Sequence, residues 1–101
     1  MELEHMRRIL AERGMGWTIP DTDLGAAVLA LWHPDTDWAQ CGMVIEAMRE
    51  KGWCIELNDD MMCYHGRWHH MDGDDSPMVW ETTFCKWATL SAYRALEATD
   101  A

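Results

Sequence analysis

The chain has 101 residues, 49% of them apolar, and its 18 acidic against 8 basic residues give a net charge of −10. This composition predicts one folded domain, residues 1–101, with a single modest core. The negative charge argues against direct nucleic-acid binding and against an anionic membrane surface. No apolar run approaches the roughly 20 residues of a membrane span, and the N-terminus does not read as a signal peptide. The four cysteines are therefore expected to be reduced thiols of a cytoplasmic protein.

The first third of the chain predicts one helix and one undecided segment. Residues 2–13 have apolar side chains at helical spacing, and Gly14 ends the helix. The apolar positions are Leu3, Met6, Ile9 and Leu10. Residues 24–32 are apolar and rich in alanine, and their periodicity leaves a short helix and an extended segment equally open.

Residues 34–53 give the clearest signal in the chain, a complete helix followed by a strand. Thr36 or Asp37 supplies a side-chain oxygen to the amides of the first turn. A core-facing stripe then follows at helical spacing, consisting of Cys41, Val44, Ile45 and Met48. Gly52 stands where a left-handed residue ends a helix.

Three strands are predicted next. Trp53, Ile55 and Leu57 alternate with polar neighbours, and residues 61–71 form a second strand with a bulge or bend near Gly66. Residues 78–85 alternate again and form the third strand.

A closing helix is predicted at residues 89–99, with Thr89 as its N-cap. The order is thus helix, helix, strand, strand, strand, helix, and short turns make the sheet antiparallel. Two strands carry apolar residues on their second face as well, which predicts helices on both faces of the sheet. The expected fold class is α+β, an α-β-α sandwich around a three-stranded antiparallel sheet.

Several short motifs recur together in a known family. They are Met-Gly-Trp at residues 15–17, Pro-Asp-Thr-Asp at residues 34–37, Met-Arg-Glu-Lys-Gly-Trp at residues 48–53 and the helix at residues 88–96. With them the chain resembles the phage ABA-sandwich domain family, small proteins of bacteriophages and prophages. The resemblance spans nearly the whole chain and consists of caps and core positions, so it implies the fold rather than a reaction.

One set of aromatic and cationic side chains is the candidate ligand site. Trp would stack on a base, and Arg or His would bind the phosphate of a small anion such as a nucleotide. The set comprises Arg67, Trp68, His69, His70, Trp80 and Trp87. The alternative is a structural role, because Trp80 falls in register with the core side of its strand.

Two further sets of residues have chemistry worth testing. Zinc would need thiolates and imidazole from neighbouring strands. The candidates are Cys54, Cys63, His65 and Cys85, but they contain no C-x-x-C, and we expect neither a metal nor a cofactor. An apolar patch for a homo-oligomer is expected at Leu24, Val28, Leu29, Leu31 and Trp32.

Without a catalytic motif, the expected function is non-enzymatic binding. The resemblance implies a viral origin, and small phage proteins without enzymatic motifs are often counter-defence factors in the host cytoplasm. The partner would be a host defence protein or a nucleotide signal of host immunity, and the few basic residues slightly favour the protein. The alternatives are a small zinc-dependent hydrolase and a phage structural or assembly protein.

Overall fold

The computed structural model describes residues 2–98, the side chain of Glu2 excepted, and this part of the chain forms four α-helices and three strands. In chain order they are α1 Glu2–Ile9, α2 Asp23–Ala30, α3 Trp38–Glu50, β1 Trp53–Asp59, β2 Tyr64–His70, β3 Val79–Glu81 and α4 Phe84–Ala98. A π-helical turn, Leu10–Gly14, continues α1. No helix among these residues is long and apolar enough to cross a membrane.

The sheet has the order β1-β2-β3, and both pairs of strands are antiparallel. Leu57 of β1 pairs with Gly66 of β2, which pairs in turn with Val79 of β3. The predicted α+β class with a three-stranded antiparallel sheet is confirmed.

The core lies on one side of the sheet, which we call the inner face. The strands contribute Trp53, Ile55 and Leu57 from β1, Trp68 from β2 and Val79 from β3. Helices α3 and α4 contact the sheet, and α1 packs against α4 and α2. Apolar residues of all four helices join the inner face, among them Met6, Leu10, Leu29, Val44, Met48, Ala92 and Leu96.

The opposite side of the sheet, the outer face, differs from the expected sandwich. Its side chains are Cys54, Glu56 and Asn58 from β1, His65, Arg67 and His69 from β2 and Trp80 from β3. All of them are exposed or half-buried, and in residues 2–98 no helix covers them. The reason is their polarity, since burying these charged groups under a helix costs more than leaving them in water.

The predicted α3 is confirmed in its start, its stripe and its end. Asp37 Oδ1 accepts a hydrogen bond from the Gln40 amide at 3.0 Å. Gly52 has a φ of 94°, the left-handed conformation that ends a helix. The undecided segment before α3 is helical over Asp23–Ala30.

The predicted boundary between the third strand and the last helix is wrong. β3 contains only Val79–Glu81, and α4 begins at Phe84. Thr83 caps the helix, because its Oγ1 accepts a hydrogen bond from the Lys86 amide at 3.3 Å. Thr89, the predicted cap, is buried inside α4, where its hydroxyl donates to the Cys85 carbonyl at 2.8 Å. Thr99, the predicted helix end, lies outside the described residues.

Gly66 pairs regularly in β2 instead of forming the predicted bulge or bend. A Cβ atom at this position would lie 2.0 Å from the Glu56 carbonyl oxygen of the neighbouring strand. The close approach of the two backbones therefore requires glycine here.

We expect Gly66→Ala to reduce the free energy of unfolding by about 3 kcal/mol or more, because the added methyl group overlaps a backbone atom that cannot move freely. Gly42→Ala is the matched control: apart from its neighbours in the chain and the nearby backbone of its own helix, no described atom lies within 4 Å of its added Cβ. It should stabilise α3 by about 0.5–1 kcal/mol. Urea unfolding of both variants measures this, and equal stabilities would contradict the packing at Gly66.

Candidate functional site

The six residues of the predicted ligand site are divided between the two faces of the sheet. Trp68 and Trp87 are fully buried, so their predicted role in ligand binding is wrong. Trp68 lies on the inner face because it alternates with Arg67 and His69, and its ring is parallel to that of Trp87 at 6.3 Å. The sequence placed Trp80 on the core side, but Val79 occupies that side and Trp80 is 60% exposed on the outer face.

His70 lies at the end of β2 and binds the backbone. Its Nε2 donates to the Lys51 carbonyl at 2.8 Å, and its Nδ1 accepts from the Asp72 amide at 3.1 Å. Its ring also contacts Trp53 edge to face, with centroids 4.9 Å apart. His70 therefore ties the turn after α3 to the end of β2 instead of facing a ligand.

Arg67 and His69 share the outer face with two carboxylates. His69 Nε2 lies 2.8 Å from Glu56 Oε1, and its Nδ1 is hydrogen-bonded to Asp75. Arg67 Nε lies 3.3 Å from Glu56 Oε1, within ion-pair distance but without hydrogen-bond geometry, and Nη1 lies 3.9 Å from Asp75 Oδ2.

This cluster is electrically balanced. The hydrogen bonds from Asp75 and Glu56 raise the pKa of His69 by stabilising the imidazolium. Arg67 and His69 face two carboxylates, so the cluster has no net positive charge for a phosphate even when His69 is protonated. The outer face does not support the predicted nucleotide site.

Trp80 forms a stacked pair with His65 on the same face, with ring centroids 4.3 Å apart and an interplanar angle of 18°. His65 Nε2 lies 3.7 Å from Asp60 Oδ2. The indole is therefore exposed but held in a fixed orientation.

The predicted zinc ligands do not meet. Cys54 is exposed on the outer face, where His65 stacks on Trp80. Cys63 lies in the turn between β1 and β2, and Cys85 is buried in α4. Burial, together with the neighbouring Cys85 thiol, raises the pKa of Cys41 to about 12, so the Cys41 thiol stays protonated at neutral pH. In the described residues no three His, Cys, Asp or Glu side chains are placed to hold a metal ion.

The predicted interface residues around α2 also divide into two groups. Leu24, Val28 and Leu31 are exposed, Leu24 at 68% and Leu31 at 73%. Leu29 and Trp32 are buried, and Trp32 packs edge to face on Trp17 at 4.7 Å. Leu29 and Trp32 belong to the core, so placing them in an interface is wrong.

Sequence reasoning missed an exposed aromatic surface at one end of the sheet. Trp38, at the start of α3, is 69% exposed and stacks on Phe84 at 5.6 Å and 6°. Phe84 contacts Tyr64 of β2 edge to face at 6.0 Å. We call Trp38, Tyr64 and Phe84 the aromatic patch. Trp38 stands three residues before Cys41 and extends the helical stripe of α3. This spacing is the feature of the sequence from which the position of Trp38 could have been predicted.

The turn before Tyr64 adds exposed methionines to this end of the sheet. Met61 is 100% exposed and Met62 is 82% exposed. Asp60 Oδ1 accepts hydrogen bonds from the amides of Met62 at 2.9 Å and Cys63 at 3.0 Å. These bonds lower the pKa of Asp60 and fix the turn that presents the two methionines.

No family model, curated protein or solved structure matches this chain. The resemblance to the phage ABA-sandwich family therefore stays a prediction, and functional inference rests on the geometry described above.

The His69 cluster makes a prediction about pH. In an NMR titration the pKa of His69 should lie above that of histidine in the denatured chain, and Asp75→Asn and Glu56→Gln should each lower it. Because the folded-state pKa is raised, the stability this group contributes is complete below the unfolded pKa and disappears as pH rises through the folded pKa. Equal pKa values in the folded and denatured protein would contradict the cluster.

The exposed leucines in α2 and directly after it, Leu24 and Leu31, make a prediction about assembly. We expect a homo-oligomer that the double variant Leu24→Glu/Leu31→Glu dissociates into folded monomers, because both side chains are exposed and outside the core. Leu29→Glu should instead unfold the protein, because it buries a charge in the core. Light scattering coupled to gel filtration, with thermal melts, measures both. An unchanged mass for the double variant would refute this interface.

Proposed function

We propose that this protein is a non-enzymatic binding protein of a bacteriophage that blocks a host defence protein in the cytoplasm of the infected bacterium. The observation that carries the proposal is the exposed Trp38 stacked on Phe84 in the aromatic patch. The phage origin and the defence target come from the family resemblance, and the binding surface comes from the geometry.

The aromatic patch has the properties of an interaction hot spot. Exposed aromatic and methionine side chains are enriched at protein interfaces, and Trp contributes most of the energy in many of them. Trp38 is already stacked on Phe84, which contacts Tyr64. A partner that covers this patch loses less free energy in ordering side chains than it would on a mobile surface.

The charges around the patch indicate the kind of partner. Asp37 precedes Trp38, and Asp59 and Asp60 are exposed at the methionine turn. The whole chain carries a net charge of −10. An apolar centre with acidic neighbours complements a protein surface that has an apolar centre and a basic rim, and opposite charge raises the association rate.

The ring contacts and hydrogen bonds of the histidines support binding over catalysis. His65 stacks on Trp80, His69 is held by two carboxylates and His70 donates to a backbone carbonyl. Both ring nitrogens of His69 and of His70 are hydrogen-bonded within the protein, so neither imidazole has a free nitrogen to accept a proton from a substrate. A protein partner is favoured over a nucleotide because the cations of the outer face are already neutralised.

The test uses a phage-restricting bacterial strain that expresses the wild-type protein or a variant. Trp38→Ala should remove protection of the phage and weaken binding to the target by about 30-fold or more, as expected for an interface Trp. Leu24→Ala is the matched control, since it also removes an exposed apolar side chain but lies on α2. Plaque counts measure protection, and a photocrosslinking residue at position 38, compared with one at position 24, identifies the target. Full protection by Trp38→Ala would contradict the proposal.

A further inference from the structure

A groove of about 610 Å³ lies between α1 and α4, away from the outer face of the sheet. This volume falls within the range typical of small-molecule sites. Leu3 of α1 and Leu90 and Tyr93 of α4 form apolar walls, and Lys86 and Arg94 also line the groove. None of these residues belongs to the aromatic patch.

The two cations of the groove lie on one side of α4. Lys86, Leu90 and Arg94 follow one another at intervals of four residues, so they project from successive turns of the helix. The backbone positions of Lys86 and Arg94 are about 12 Å apart along the helix axis. In the described part of the chain neither cation has an ion-pair partner, whereas Arg7, Arg8 and Arg67 are all paired. Both side chains are exposed, so each can reach an acidic group bound in the groove.

The acidic residues of the groove are mostly engaged. Both Asp35 oxygens accept hydrogen bonds from Arg7, at 3.0 and 3.1 Å. Glu97 accepts the Tyr93 hydroxyl at 2.9 Å. Glu81, which is half-buried, is the remaining carboxylate. The hydrogen-bond donors of Lys86 and Arg94 are thus available to an acidic group of a ligand. A second negative charge on the ligand is disfavoured because Glu81 and Glu97 would repel it.

We propose that the groove between α1 and α4 binds a small organic monoanion. Its acidic group is held by Lys86 and Arg94, and its apolar or aromatic body packs against Leu3, Leu90 and Tyr93. Charge-assisted hydrogen bonds orient the acid. Burial of the apolar body against the walls adds a hydrophobic contribution to binding that an inorganic anion cannot make. This site is separate from the proposed protein-binding surface and does not depend on it.

The test is a methyl NMR titration of the purified protein with naphthalenesulfonate, which joins one acidic group to an aromatic body. Resonances of Leu3 and Leu90 should shift on binding. Lys86→Gln and Arg94→Gln should each weaken binding about tenfold, the loss typical of one charge-assisted hydrogen bond. Arg49→Gln and Lys51→Gln, which remove cations from the end of α3, should leave the affinity unchanged.

Neutral analogues and natural chemistries complete the experiment. Naphthalenemethanol should bind much more weakly, and equal binding would overturn the role of the two cations. Decanoate presents a monoanionic acid on an alkyl chain, and its competition with naphthalenesulfonate supports the proposal and shows that the groove accepts an alkyl body. Absence of shifts at Leu3 and Leu90 with every probe would overturn the proposal. Because no host protein is present, this result is independent of the Trp38 experiment.

Discussion

The fold depends on the burial of Trp68 between the sheet and α4. Its indole Nε1 donates to Ser91 Oγ at 2.9 Å. The Trp68 amide donates to Ser76 Oγ, and the Ser76 amide donates to the Trp68 carbonyl, both at 2.8 Å. These contacts satisfy the polar groups that burial removes from water. They also attach the loop before β3 to β2. Because Trp68 faces inward, alternation along the strand forces Arg67 and His69 outward.

The parts of the fold that could be predicted are those whose signals are local. The cap at Asp37, the stripe of α3 and the stop at Gly52 lie within one continuous segment, so no distant contact is needed to interpret them. Residues 78–85 are different, because both Val79 and Trp80 are apolar and alternation alone does not say which faces the core. The pairing of Val79 with Gly66 decides it, and that contact is long-range.

The same limit applies to the candidate site. Arg67 and His69 were recognised as possible anion ligands from their residue types. Their neutralisation depends on Glu56 across the strand pair and on Asp75 in the following loop, which the sequence gives no means of placing. Whether a cation is available to a ligand depends on which carboxylates the fold places beside it, and composition does not show this. Lys86 and Arg94 show the converse, since within the described residues neither has a carboxylate at ion-pair distance although Glu81 lines the same groove.

Helix α4 contributes to the two surfaces that we propose bind a host protein and a small anion. Phe84 in its first turn supports Trp38, and Lys86, Leu90 and Arg94 line the groove beside α1. The buried side of the helix consists largely of small residues, such as Ala88, Ala92 and Ala95, which allow a close approach to the neighbouring elements. A helix packed in this way offers fixed positions for side chains on its other sides, and a site on rigid elements loses little entropy when it binds. The packing that Trp68 and Trp87 provide beneath α4 is therefore what makes both surfaces preorganised.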